Sequence, residues 1–282
     1  MKKWLCCLIA AVLVLSGASA FHAEAAAEET IVLAAAASLK YVFDDQLIPM
    51  FEQQHPEIKV EATYDSSGKL QTQIEEGADW DIFFSAGMKQ MKALQEAGLM
   101  NEDSIKVQVT NELVLIVPTG SELGIESVTD ILKANVIAIG DPADVPVGQY
   151  TQKTLTALAP DGSATEGEDN LWNAIQEKEI SLGTNVTEVL NWIAQASADC
   201  GFTYRTDAMQ KAGEVEIVEG LAPATYPIGI IASSTKQEAA ETFLEFLATE
   251  EALEQFVAYG FTLPEEEKAE ETEAAETTEA AK

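Results

Sequence analysis

Small and hydroxyl-bearing residues stand at four places where a strand-like run gives way to a helix-like one. Ser38 closes the alanine run Ala34 to Ala37, which follows the apolar triplet Ile31-Val32-Leu33. Ser66-Ser67-Gly68 follows the alternating run 58–64, and Pro146-Val147-Gly148 follows the apolar run 136–139. Thr184-Asn185-Val186 opens the helical pattern that carries Trp192. The start of a helix presents backbone N–H groups without intrahelical partners and carries partial positive charge. Such a turn can donate hydrogen bonds to an anion. The bland reading of each turn is an N-cap, in which Ser, Thr or Asn stabilises the helix by about 1 kcal/mol. Tyr204, at the end of the run 201–204, reads as a core ring with a wet hydroxyl before it reads as a ligand.

Other chemistries find little support. No His, Cys and carboxylate cluster has metal-ligand spacing, and no G-x-S-x-G, Walker loop or G-x-G-x-x-G occurs. Cys200 reads as a small buried hydrophobe. Trp80, Phe83 and Phe84 read as core, and Trp192 as helix packing. His55, beside Pro56, reads as a solvated turn residue. A secreted hydrolase using Ser38 or Ser67 as nucleophile would need a base within reach, and His55 lies at the far end of the first helix.

The elements that would hold these turns alternate. Strand patterns cover 31–34, 58–64, 81–85, 113–117, 136–139, 201–204, 215–218 and 228–232. Helical patterns cover 41–54, 70–76, 88–97, 127–132, 150–158, 186–198, 238–248 and 251–258, with Pro49 expected to kink or divide the first. The segment 159–169 reads as a loop. Alternating strands and helices predict an α/β fold with parallel-rich sheets covered on both faces. These eight short strands are more than one compact sheet comfortably holds, so two lobes with a cleft between them are expected. No Pro/Gly/Ser linker separates the halves, so ordered strands should join them.

Bulk properties bound the rest. The chain has 282 residues and a net charge of −32, which excludes nucleic acid and anionic membrane surfaces as partners. A small anion is still admissible, because local dipoles outweigh a distant field at short range. Met1-Lys2-Lys3, the apolar stretch 4–16 and Ala18-Ser19-Ala20 have the form of a secretory leader, so residues 1–25 are expected to be removed, His22 with them. Cys6 and Cys7 fall within that leader, and neither follows the apolar stretch as a lipid-anchored cysteine would. Cys200 is then alone, without a disulfide partner. At the other end, 265–282 holds eight Glu, two Lys and no large apolar residue. That composition predicts a solvated acidic tail.

Six stretches carry a resemblance: AAASL (35–39), SSGKL (66–70), WDIFFSA (80–86), GDPADVPVGQY (140–150), GFTYRTDA (201–208) and YPIGI (226–230). In this order they are similar to the molybdate-binding proteins of ABC transporters, over about residues 30 to 264. The resemblance implies a two-lobed, periplasmic-binding-protein-like α/β fold of type II, each lobe a mainly parallel sheet flanked by helices, with the ligand in the inter-lobe cleft. Lobe 1 would comprise 29–112 and 226–264, and lobe 2 would comprise 113–225.

The same resemblance implies an exported, monomeric binding protein, not an enzyme. It would take molybdate or tungstate, need no cofactor and deliver its ligand to a membrane permease; sulfate or another small oxyanion or solute is the alternative. Carried over, Ser38 and Ser67 would each offer a hydroxyl and a backbone N–H, Val147 and Val186 backbone N–H groups, and Tyr204 its phenol. Gly68 would add a further N–H. Thr187 stands where relatives often have arginine, and Gly68 where a third serine is common. The carboxylate of Asp65 is expected to point to solvent.

Overall fold

The computed structural model describes residues 29–264; the expected leader 1–25 and acidic tail 265–282 lie outside the described residues. Eight strands form one mixed sheet in the order β2-β1-β3-β8-β4-β7-β5-β6. They are β1 (Glu29–Ala36), β2 (Ile58–Asp65), β3 (Ile82–Phe84), β4 (Lys106–Pro118), β5 (Val136–Gly140), β6 (Glu179–Gly183), β7 (Cys200–Tyr204) and β8 (Val215–Ile230). β1 runs parallel to β2 and β3, and β5 runs parallel to β6 and β7. These two parallel groups are the halves of the expected α/β fold. They belong to a single ladder because β4 and β8, 13 and 16 residues long, pair antiparallel from Lys106↔Ile228 to Pro118↔Val215.

Both long strands exceed the sequence-based expectation. β4 reaches back through the polar stretch 106–112, which has too few apolar residues to announce a strand. β8 joins what read as two strands, carrying Gly220, Pro223 and Pro227 through register shifts opposite β4. Beside the ladder, the Tyr150 hydroxyl accepts from the Thr225 N–H at 3.1 Å. β6 had no sequence-based expectation. It is an edge strand with most residues part-exposed or exposed, and so lacks a clear hydrophobic pattern.

The first helical run, 37–54, is continuous: a 3-10 turn, an α turn, a π turn at Phe43–Leu47 and an α segment Ile48–Gln54. Pro49 therefore does not divide it. Proline cannot donate to the carbonyl four residues back and clashes with it, and the wider turn just before Pro49, with Ile48 N–H on Phe43 O, makes room. The run ends at His55, since the residue before a proline is pushed out of helical geometry. The segment 159–169 is a loop, as expected.

An aromatic core backs the β1–β3 half. Phe43 is fully buried, with ring centroids 5.8 Å from Phe84, 6.2 Å from Phe243 and 5.9 Å from Phe256. Phe243 and Phe256 come from the last two helices, Gln237–Leu247 and Glu250–Ala258, so this cluster ties the chain's end to its beginning. Phe43→Ala is expected to cost about 3–5 kcal/mol. In a domain of this size that lowers Tm by roughly 10 °C in calorimetry or thermal circular dichroism.

Candidate functional site

Six strands end around one point. β1 leads into Ser38, β2 into Ser66-Ser67, β3 into Ala86, β5 into Val147 and β6 into Val186, while β7 ends on Tyr204. All six positions line one pocket, where ligands of open α/β sheets bind, beyond the carboxyl ends of parallel strands. Ser38, Ser67, Val147, Val186 and Tyr204, far apart in sequence, are thus brought together, and all five are buried.

Each turn shows how capping and an open donor coexist. Ser66 is the N-cap of the helix Ser67–Glu75, its hydroxyl accepting from the Lys69 N–H at 3.4 Å. Ser67, the first helical residue, accepts from the Ala86 N–H at 2.9 Å, so its own hydroxyl proton is available to the pocket. Asn185 caps the helix Val186–Ala194 by accepting from Glu188 N–H at 3.0 Å. Val186 comes first in that helix, where N–H groups have no intrahelical partner. In Pro146–Thr156 the proline fills a first-turn position whose N–H would be unpaired anyway, and Val147 follows. Gly148 sets this helix directly on the end of β5: a Cβ there would sit well inside van der Waals distance of Gly140 O. Ser38 lies in the 3-10 turn Ala37–Leu39 and shares a hydrogen bond of 2.8 Å with the Tyr226 hydroxyl.

The pocket is small and uncharged on its inner wall. The cavity is small, about 10 Å³, and as it stands has no room for a sugar or peptide, whose sites run to several hundred Å³. No lysine, arginine or histidine lines it, and Asp65 is the one ionisable carboxylate that does. Asp65 is not simply turned to solvent, as expected; Oδ1 accepts from the Ser66 N–H at 2.7 Å and lies 3.3 Å from Lys69 Nζ. Burial pushes the phenols of Tyr204 and Tyr226 well above their usual range, so both stay neutral; the Tyr204 proton is engaged by Ala86 O at 3.4 Å.

Three hydrogen bonds join the β1–β3 half to the β5–β7 half beside the pocket. Gly68 N–H donates to Asp144 O at 3.0 Å, Gln90 Nε2 to Gln149 Oε1 at 3.2 Å, and Tyr204 OH to Ala86 O at 3.4 Å. Gly68 is therefore no pocket donor, contrary to expectation: its N–H is engaged across the cleft, and any Cβ would collide with Asp144 O. Thr187 lies on the rim, in a neighbouring groove with Lys40 and Tyr64. Neither serine has the general base a hydrolase would need: Ser38 faces Tyr226 and Ser67 faces a backbone N–H. His55 stacks on Phe51 with centroids 4.8 Å apart.

Sequence reasoning missed the residues behind the pocket. Tyr226 and Asn111 are buried and touch the site through Ser38. Tyr226 had a signal, the YPIGI stretch, but no role; Asn111 had none. Asp207, also buried, accepts weakly from the Thr206 hydroxyl at 3.5 Å. Burial pushes its carboxyl up to about 7, against the opposing hydrogen bonds from Thr206 and its own N–H.

Between the usual carboxylate range and about pH 7 the folded chain thus holds a proton on Asp207 that the unfolded chain has lost. This contribution to stability is present at low pH and declines as pH rises through that window. Asp207→Asn is expected to remove the decline. Relative to wild type, its unfolding free energy should gain on the order of 2–4 kcal/mol between pH 5 and pH 8. Denaturant titrations at both pH values measure it.

Comparison with known proteins agrees with this geometry. The model of the bacterial extracellular solute-binding protein family matches residues 31–262. The chain is 32% identical over 262 residues to "Putative ABC transporter substrate-binding lipoprotein YvgL" of Bacillus subtilis (strain 168), covering 90% of this chain and 95% of that one. It is 32% identical over 246 residues to the molybdate-binding protein ModA of Haemophilus influenzae, covering 84% and 91%. Among solved structures, the "substrate binding domain of putative molybdenum ABC transporter from Clostridium difficile" superposes with a TM-score of 0.62 at 32% identity, covering 84% of this chain and 99% of that one. The chain belongs to the bacterial extracellular solute-binding protein family, and it is a binding protein, not an enzyme.

Proposed function

We propose that this substrate-binding protein of an ABC transporter captures molybdate or tungstate. The observation that carries the reading is the convergence of Ser38, Ser67, Val147, Val186 and Tyr204 on one small pocket with no cation in its wall. Hydrogen bonds to a charged acceptor are about twice as strong as neutral ones. In a low-dielectric cleft, several of them offset the lost hydration of a dianion. A buried Lys or Arg would add its own desolvation cost.

The donor set also selects. The inner wall offers hydroxyls and N–H groups, and the Asp65 carboxylate is already engaged. A protonated oxyanion such as hydrogen phosphate would face donors with its own donor, leaving a buried group unpaired at a cost of about 1–3 kcal/mol. Molybdate, tungstate and sulfate carry no proton near neutral pH. The names of the Haemophilus and Clostridium relatives favour molybdenum over sulfur.

In this reading 29–112 with 226–264 forms one lobe and 113–225 the other, and the bonds across the cleft belong to the closed state. The closed pair would then present the ligand to a permease in the membrane. Export by the leader 1–25 accords with relatives that act outside the cytoplasm. Among the described residues no helix is long and apolar enough to cross a membrane.

Calorimetry on the purified full chain tests the reading. One molybdate or tungstate per chain is expected to bind and to raise Tm, with sulfate weaker; absence of heat and of any melting shift with all three would sink it. Ser67→Ala is expected to weaken molybdate binding about tenfold or more, corresponding to about 1.5–3 kcal/mol for a hydrogen bond to a charged group. Gly68→Ala is expected to weaken binding while leaving the Tm of the ligand-free chain within about 2 °C of wild type, because its methyl obstructs closure rather than folding. An unchanged Kd in that variant would argue against closure at the Gly68–Asp144 contact.

A further inference from the structure

The chain carries 48 acidic residues against 16 lysines and arginines, so a cation without a carboxylate beside it is the exception. Among the described residues, Lys89, Lys92 and Lys153 are exposed, and their ammonium groups make neither an ion pair nor a hydrogen bond. Every other described lysine and arginine is engaged. Lys40 pairs with Asp44, Lys69 with Asp65 and Arg205 with Glu112, for example, while Lys106 and Lys178 donate to the Leu244 and Leu132 carbonyls.

The unpaired lysines gather where the two halves of the sheet meet. Lys89 and Lys153 line one groove together with Pro142 and Gln149. Lys89 stands in the first turn of the helix Met88–Glu96, just after Ala86 in the pocket wall. Lys92 follows one turn on, on the same face. Lys153 belongs to the helix Pro146–Thr156, whose Pro146 and Val147 are also pocket wall. At a rise of 1.5 Å per residue, its backbone lies about 9 Å along that helix from Val147. Between them Gln90 donates to Gln149 across the cleft at 3.2 Å, so each lip of the cleft carries unpaired positive charge. Glu166 is the one carboxylate lining the groove. The other edge of the cleft differs: its groove holds Lys40, already paired with Asp44, and Glu188.

We propose that Lys89, Lys92 and Lys153 make the α4-side edge of the cleft, between the helices Met88–Glu96 and Pro146–Thr156, the entry side, where they draw a small dianion to the mouth. The proposal rests on the oxyanion reading above and adds to it the route and rate of capture. A chain of charge −32 repels a dianion at long range. Close to the surface, within a Debye length of about 8 Å at physiological salt, nearby charges outweigh the distant field. An ammonium held by a carboxylate presents only a dipole, whereas an unpaired one presents its whole charge. A unit charge about 10 Å from a dianion changes the encounter rate roughly fourfold in water before screening. Lysine suits an outer position because its ammonium is a strongly hydrated point charge on a flexible stem. It attracts the hydrated anion without stripping it, and the donors of the inner wall complete recognition.

The triple variant Lys89→Gln/Lys92→Gln/Lys153→Gln tests this, with Lys133→Gln as the control. Lys133 pairs with Asp130 and precedes β5, at the end of the sheet away from the pocket, so its loss changes net charge without touching the cleft. Molybdate association and dissociation rates are read by stopped-flow tryptophan fluorescence at ionic strengths of about 0.01 M and about 1 M, where the Debye length is about 30 Å and about 3 Å. Calorimetric Kd values at both salt levels, with the Tm of each ligand-free chain, give the same contrast without an optical signal. At low salt the triple variant is expected to associate about fivefold or more slowly than wild type, with dissociation within about twofold and Tm unchanged. At high salt the two should associate alike, and Lys133→Gln should match wild type throughout. An association rate unchanged at low salt overturns the proposal. So does a loss that persists at high salt, one carried by dissociation, or one equalled by Lys133→Gln. If wild type binds neither molybdate nor tungstate, the oxyanion reading itself fails and takes the entry route with it; if wild type binds and the triple variant captures as fast, the entry route alone is refuted.

Discussion

The antiparallel ladder between β4 and β8 is the contact on which the rest of this molecule depends. Two parallel three-stranded groups, β1–β3 and β5–β7, hang on opposite sides of it. Parallel strands deliver their carboxyl ends, and the helices that follow, to one edge of a sheet. A single parallel group would bring three helix starts together. Two groups held by shared central strands bring six chain segments to one pocket. The ladder is irregular, with register shifts at three places. Bulges of this kind add twist and bend to a strand pair, and here they fall between the two halves.

The pocket has no cation in its wall, and Asp65 is the one ionisable carboxylate that lines it. That choice is intelligible for a chain of net charge −32, in which a buried arginine would attract surface carboxylates and carry a desolvation penalty of its own. Helix starts, hydroxyls and phenols cost less to bury because ordinary protein partners satisfy their spare capacity. Ser67 accepts from Ala86 N–H, Asn185 from Glu188 N–H, and Ser38 faces Tyr226. The bonds to Ser67 and Asn185 fix an oxygen in place and leave a hydrogen or a neighbouring N–H for the cleft. Support and recognition are thus different ends of the same groups.

Closeness is the second requirement, and glycine meets it at two points. Gly148 lets a helix start sit on the end of β5, and Gly68 lets a backbone N–H reach Asp144 O across the cleft. In both cases the partner is a backbone carbonyl, which has little freedom to give way. The geometry of approach is therefore set by the absence of a side chain.

The order of elements, the α/β class and the five pocket residues could be read from the chain because each depends on short-range pattern. An apolar run ending in Ala, Ser or Val-Pro-Val-Gly, followed by helical periodicity, defines its own turn, and the resemblance of six such stretches identified which turns matter. The helix 37–54 was legible except in its detail, the π turn Phe43–Leu47 just before Pro49. β6 was hidden because an edge strand needs few apolar residues, and the unity of β8 because Gly220 and Pro223 look like breaks until β4 lies beside them. Tyr226 and Ser38 are 188 residues apart, and Asn111 and Tyr226 are 115 apart. Sequence determined which groups carry donors; only the tertiary structure decided which partners those donors meet, because the fold, not the neighbouring chain, brings them together.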